Sequence, residues 1–515
     1  MSVDRLGRPG RPDPREIAGL VVLLVAYAAM RWPFRDAPLI RDEGEYVHLG
    51  QQILRGAIPY LDIYNQKTPL VFYATAALQA LGGASVEAFR IATTVWGAAT
   101  ALVLWTLARR LCGSIAAWLA TAAWVLLSFD RSTGVYQAAP EFFMLPFLAA
   151  GLLAAYGGTG RAGSRRWLLA GVLAALAFQT KQSGLALLAF LVAERALALA
   201  KDRHALRDLG SLLAGFIAVT ALVAAAFAAV GALGAYVECV WTNNFQYAGS
   251  RLGPRSLGRV PAGARWILPW GSGLALLGGA GLMFRATTGR LAGPRHLWLL
   301  LATTLGIALA AGGSYPHYFE LAFVPLSLGV ADAWVALAGR SPRLRLAGLA
   351  LFVLAWVPAL GHGLAAVRDP AGTLAHLYRL APTATVSPEV ADYLAERTEP
   401  GEPILVVGSE PQIYFLADRP SSSRMAFMYP MTGPYRYAAP LRSAFLRQLD
   451  ASGPEYVVWV GLLASQTEFP RIGRKFEAEV GKVLRRRYAL EARFPAGMAV
   501  YRRCRGAGCA AAPAP

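Results

Sequence analysis

Between Ile17 and Val367 the chain repeats apolar runs of close to 20 residues, broken by short segments that carry many of its arginines. A run of that length spans a ~30 Å hydrocarbon core as a helix, and a lipid core admits little else but closed barrels. Composition agrees with this. Of 515 residues, 56% are hydrophobic and 16% charged, with mean hydropathy +0.41. A soluble chain would be about half apolar and a quarter charged. Beyond about residue 385 the repetition stops and the composition becomes that of a soluble domain.

The net charge of +19 does not point to nucleic acid, because the arginines lie in loops between apolar runs, where topology determinants belong. Arg5, Arg8, Arg11 and Arg15 put the N-terminal tail (residues 1–16) in the cytoplasm. Ile17–Trp32 then runs outward as an uncleaved anchor. Within the polar stretch that follows, Pro69–Leu81 is apolar but only 13 residues long, too short for a span. Reading it as re-entrant or interfacial sends Val86–Ala108 inward and delivers Arg109-Arg110 to the cytoplasm. The later spans are Ser114–Phe129, Glu141–Tyr156, Leu168–Thr180, Leu185–Ala200, Leu209–Val230, Ile267–Met283, Leu297–Ala311, Tyr318–Leu337 and Leu346–Val367. Every short basic loop then falls inside, which supports the count.

The same count gathers the unusual polar residues outside: Asp42, Glu43, Lys67, Asp130, Glu141, Lys181, Gln182, Glu238, Asn243, Asn244, His317 and Glu320. Charges at membrane depth are tolerated mainly at pathways and sites. Residues 385–503 read as an outer α/β domain. Its expected helices are Pro388–Arg397, Pro411–Ala417, Leu441–Leu449 and Phe476–Arg486. Its strands are Pro403–Gly408 and Tyr456–Val460, with a hairpin of Tyr488–Arg493 and Met498–Arg502. The tail 504–515 reads as disordered. Cys112, Cys239, Cys504 and Cys509 show neither metal spacing nor a disulfide framework, and no Cys504–Cys509 bridge is expected.

Each chemical candidate also has a plain structural account. Asp42 suits a helix N-cap with Glu45 three residues on, and Gly56 suits the C′ position. Tyr46, Leu49, Ile53 and Leu54 would lay that helix in the membrane interface. An N-cap acid and a catalytic acid are compatible roles. Lys67 either snorkels or meets a phosphate. Glu141 sits in the first turn after Pro140, which helix chemistry alone would favour. Lys181 runs against the positive-inside bias and suits an anionic lipid head. Arg251, Arg255, Arg259 and Arg265 form either a solvated loop or a basic rim, and His317 either a structural or a site residue.

Asp42-Glu43-Gly44-Glu45-Tyr46, Gly56-Ala57-Ile58-Pro59-Tyr60 and Gln66-Lys67-Thr68-Pro69-Leu70 together resemble the first outer loop of bacterial glycosyltransferase family 39 and ArnT-like proteins. The similarity continues through Pro140-Glu141, Lys181-Gln182 and His317-Tyr318-Phe319. These are GT-C-fold enzymes related to protein O-mannosyltransferases. The resemblance implies about 11–13 transmembrane helices over 17–367, interfacial helices in the first outer loop, and a small C-terminal α/β domain. It also implies sugar transfer from a polyprenyl-phosphate donor to a lipid, glycan or protein hydroxyl, at the outer face of the bacterial cytoplasmic membrane. Asp42 matches the catalytic acid, Glu141 a second acid, and Lys67 the lysine that holds the donor phosphate. Glu43 is the next candidate base, and the extra acid Glu45 ranks third. Lys181, Arg255 and Arg259 are assigned to the donor phosphate, and Glu45, Tyr46, Tyr60, Gln182, His317 and Tyr318 to the sugar or acceptor. No cofactor is required, and a divalent cation is left open. A transporter would explain the outer charges too, but would more naturally show inverted repeats. A membrane scaffold with a partner-binding outer domain is the other competing reading.

Overall fold

The computed structural model describes residues 11–129, 137–158, 163–200, 202–249, 272–288, 316–338, 340–378, 381–461 and 469–504. The expected span Leu297–Ala311, Asp130, the arginines 251–265 and the tail beyond Cys504 lie outside them. The first nine α-helices are α1 (Pro14–Arg31), α2 (Arg41–Leu54), α3 (Leu70–Gly82), α4 (Val86–Cys112), α5 (Ser114–Leu127), α6 (Pro140–Tyr156), α7 (Ser164–Thr180), α8 (Leu185–Ala198) and α9 (Ala205–Ala229). Further helices cover Ser272–Thr288, Phe323–Ala338, Pro342–Arg368, Pro370–Tyr378 and Pro382–Ala395. Among the described residues, five helices have the length and hydropathy to cross a membrane, and four more are apolar but shorter. Strands β1 (Leu405–Val407), β2 (Tyr456–Trp459), β3 (Tyr488–Arg493) and β4 (Ala499–Arg503) form one sheet near the C-terminus.

The chain divides into two compact units. The helical unit comprises Met1–Arg35, Arg90–Ala225 and Arg251–Thr373, and the mixed unit Asp36–Phe89, Ala226–Ser250 and Leu374–Pro515. The first loop therefore folds with the C-terminal residues, which sequence distance alone does not suggest.

In the helical unit α1 starts with a closed capping box. Asp13 Oδ1 accepts the amides of Arg15 and Glu16 at 2.7 and 2.9 Å, and Glu16 accepts the Asp13 amide at 3.2 Å. Glu16 also takes Arg109 at 2.7 Å and the Ser114 hydroxyl, tying the start of α1 to the end of α4 and the start of α5. Helices approach closely where side chains are small. A Cβ on Gly171 of α7 would lie 2.0 Å from the Leu212 carbonyl of α9, and one on Gly215 would lie 2.2 Å from that of Leu168.

The mixed unit contains the four-stranded sheet, ordered β1-β2-β4-β3. β1 runs parallel to β2, with Val406 opposite Val458, and the other two pairings are antiparallel. The β3–β4 hairpin is as expected, with a register shift between Leu490 and Ala492. Cys112 and Cys239 are free and buried, whereas Cys504 is disulfide-bonded, against the expectation.

Helix α2 departs from its expected setting in two ways. Its residues Glu43 through Gln52 are all buried within the mixed unit, so its polar face is covered as well as its apolar one. On one side Gly44 meets the helix Gln412–Ala417 so closely that a Cβ would lie 2.4 Å from the Gln412 amide nitrogen. On another, Gly50 meets α3, and α3 ties itself on through Thr75 Oγ1 to the Tyr46 carbonyl (2.8 Å) and Gln79 Nε2 to that of Val47 (2.9 Å). The polar surface that read as one wall of an amphipathic helix is instead covered by folded chain. The cap also differs: Ile40 is the N-cap residue, and Glu43 Oε2 accepts its amide at 3.3 Å. Asp42 is thus in the first turn and is not the cap. Gly56 does take the C′ position, at φ +94°.

Candidate active site

Of the three first-loop acids, the structure gives each a different surrounding. Glu43 is buried and closes the start of α2. Asp42, one residue earlier, is half-buried. Glu45 is 3% exposed and faces Lys67, which arrives on the loop leading into α3. Lys67 Nζ donates to Glu45 Oε2 at 2.6 Å, Asn65 Nδ2 donates to Glu45 Oε1 at 2.8 Å, and Asn65 Oδ1 accepts the Lys67 amide at 3.0 Å. Burial pushes the Glu45 carboxyl above the usual range, the attraction of Lys67 opposes this, and the charge of Asp42 one turn away adds to the rise. Glu45 therefore partners the lysine.

Aromatic rings build the seat of that lysine. Its Nζ lies 4.9 Å from the Tyr46 ring centroid and 5.9 Å from that of Phe427. Tyr60 is fully buried, with its ring 5.2 Å from Phe227 and 5.5 Å from Tyr236, and its hydroxyl donates to the Lys67 carbonyl at 2.8 Å. Tyr46 and Tyr60, assigned from the sequence to the sugar or acceptor, are packed around Lys67 in this structure.

The helical unit gathers the remaining assigned residues. Glu141 opens α6 at 1% exposure and pairs with Lys181, which follows the last residue of α7. Lys181 Nζ also lies 4.0 Å from the Tyr318 ring centroid, and the His317 ring meets Tyr318 edge-on at 4.7 Å. Gln182 begins the short turn Gln182–Gly184. Among the described residues Glu141 Oε2 is buried and has no hydrogen-bond partner, so half of this carboxylate is unsatisfied there. Arg255 and Arg259 lie outside the described residues. Among the described residues, no three His, Cys, Asp or Glu side chains converge as a metal site.

Residues 66–236 match the family described as dolichyl-phosphate-mannose-protein mannosyltransferase. Among solved structures, the chain is similar to ArnT from Cupriavidus metallidurans in the apo state. The TM-score is 0.63 at 16% identity, covering 94% of this chain and 98% of that one. The structure of that ArnT bound to undecaprenyl phosphate gives 0.58 at 16% identity, covering 95% and 97%. The Archaeoglobus fulgidus oligosaccharyltransferase tethered to an acceptor peptide gives 0.54 at 14% identity, covering 95% and 74%. No curated protein matches the sequence.

The chain has the GT-C fold of ArnT and the oligosaccharyltransferase. The resemblance to family 39 and ArnT-like proteins is borne out, as is a helical membrane fold with a small C-terminal sheet region. At these identities the structural likenesses speak for the fold.

The buried arginines include one, Arg31, that the sequence did not single out. Arg31, at the end of α1, is 4% exposed. It donates to Thr94 Oγ1 at 3.1 Å and Thr93 Oγ1 at 3.4 Å, and its guanidinium lies 5.6 Å from the ring of Phe142, the residue after Glu141. It lies within the run Ile17–Trp32 that reads as an anchor. The available signal was the threonine pair Thr93-Thr94 inside an apolar run, which offers an arginine two acceptors.

Proposed function

We propose that this protein moves a glycosyl group from a polyprenyl-phosphate-linked sugar to a hydroxyl of a lipid, glycan or protein acceptor. The reaction takes place at the outer face of the cytoplasmic membrane and inverts the anomeric centre. The observation that carries the reading is a lysine fixed in a ring-lined seat by a buried carboxylate, with the half-buried Asp42 one helical turn from that carboxylate. One Lys67 proton is engaged by Glu45, which leaves two donors for phosphate oxygens. The acceptor hydroxyl attacks the anomeric carbon and Asp42 takes its proton. The carbon–oxygen bond to phosphate breaks, and the leaving polyprenyl phosphate keeps the electron pair. Its added charge is what Lys67 meets.

Supporting this placement, ArnT has been crystallised with undecaprenyl phosphate. The test is transfer by the full chain in lipid nanodiscs, supplied with undecaprenyl-phosphate-linked sugars and a panel of acceptors. Asp42→Asn should lower turnover by about 10²–10⁴-fold with membrane expression intact. Retained turnover would remove Asp42 from the role of base.

A further inference from the structure

We propose that Arg424 is a positioning residue for Lys67, acting through Tyr60. This rests on the reading that Lys67 meets the donor phosphate, and it assigns part of the donor site to the C-terminal residues of the mixed unit.

Tyr60 has φ +70°, one of three non-glycine residues with positive φ among those described. An L-residue rarely adopts this region, and it persists only where the surroundings over-determine it. Arg424 supplies that determination. Its Nε donates to the Tyr60 carbonyl at 2.9 Å and its Nη2 donates to the same oxygen. Its own carbonyl accepts the Tyr64 amide at 2.9 Å, and its guanidinium lies 5.5 Å from the Tyr64 ring centroid. Arg424 thus grips both ends of the turn Tyr60–Tyr64, which is closed internally by the Tyr60 amide donating to the Ile63 carbonyl at 2.9 Å.

The far side of Tyr60 reaches the lysine. Its hydroxyl donates to the Lys67 carbonyl, and its ring cannot swing away, being packed on Phe72, Phe227 and Tyr236. The order is therefore Arg424 fork, Tyr60 carbonyl, Tyr60 hydroxyl, Lys67 backbone and Lys67 ammonium. Only a guanidinium offers two adjacent donors in a fixed plane, so a lysine at 424 would keep the charge and lose the grip. The last link, from Lys67 to Glu45, fixes where the ammonium ends.

The experiment measures binding of undecaprenyl phosphate to the full-length protein in nanodiscs for K67A, R424K, Y60F and the R424K/K67A double variant. Thermal unfolding is recorded for each. R424K should weaken binding about tenfold, the worth of one hydrogen bond to a charged group. Y60F should move in the same direction. The double variant should bind no more weakly than K67A alone, since Arg424 has nothing to position once Lys67 is gone. Wild-type binding by a folded R424K, or additive losses in the double variant, would overturn the proposal. Should R424K fail to fold, Y60F carries the same decision, because it removes only the hydroxyl that holds Lys67. Unchanged binding by K67A would instead refute the phosphate role of Lys67, a result distinct from failure of Arg424 to position it.

Discussion

Two lysine–glutamate pairs occupy the two units, and they are built differently. Lys67–Glu45 is saturated: both carboxylate oxygens accept, one from the lysine and one from Asn65. Lys181–Glu141 is not, because Glu141 Oε2 is buried with no partner among the described residues. A saturated buried pair holds its geometry, and changing either member leaves a mismatch. An unsaturated one retains hydrogen-bonding capacity at a cost to stability, as expected where a ligand completes the site. The mixed unit thus carries a preset cation, and the helical unit an acid with an oxygen to spare.

The largest effect that would sharpen this contrast is in acid. On the same helix α2, His48 is fully buried, stacked 4.9 Å from the Tyr414 ring, with its pKa lowered by burial to about 3. A depressed folded value means that its contribution is complete above the ordinary pKa of 6.5 and is lost as pH falls through about 3. At full extent that is roughly 4–5 kcal/mol. Glu45 acts oppositely: its raised carboxyl contributes stability present at low pH and lost as pH rises through its folded pKa. Protection factors across α2, taken relative to the intrinsic exchange rate at each pH, should fall from pH 6.5 to 4 and lose most of that slope in H48F. A flat profile in the parent would contradict a buried neutral imidazole.

Next comes Lys67→Ala, which strands Glu45 in a site where its side chain is 4% exposed and should destabilise the mixed unit by about 3 kcal/mol. The double variant E45L/K67M should regain most of this in chemical denaturation, since no charge is then left alone. If it is no better than K67A, the pair is not the source of the loss. Glu45→Gln should cost about 2 kcal/mol, because an amide puts a donor against either Lys67 or Asn65. Glu141→Gln should change stability by less than about 1 kcal/mol while lowering transfer, since its amide can still accept from Lys181. Comparable melting shifts for E45Q and E141Q would end the distinction between the pairs.

Much of the site was legible because local chemistry names it. Asp42, Lys67, Glu141 and Lys181 stand out as charges bordering apolar runs, and Gly56 marks the end of α2 by its need for positive φ. The error at the start of that helix has a local cause. An acid suits both the N-cap and N3 positions, and the spacing fits Asp42 with Glu45 as well as Ile40 with Glu43. The cover over the polar face of that helix was not legible for a different reason. An amphipathic pattern reports that one face is apolar, but not what covers the other.

The sequence by itself determined the membrane class, the apolar helical runs and the inventory of charged residues, because run length and period are local properties set by helix rise and hydrocarbon thickness. Only the tertiary structure decided the partners: Glu45 for Lys67, Arg424 for Tyr60, and the helix Gln412–Ala417 for Gly44. Those contacts join residues more than 360 positions apart in two of the three cases, with the Tyr60–Arg424 separation at 364. No spacing rule reaches that far, since such pairs are chosen by how two folded surfaces fit.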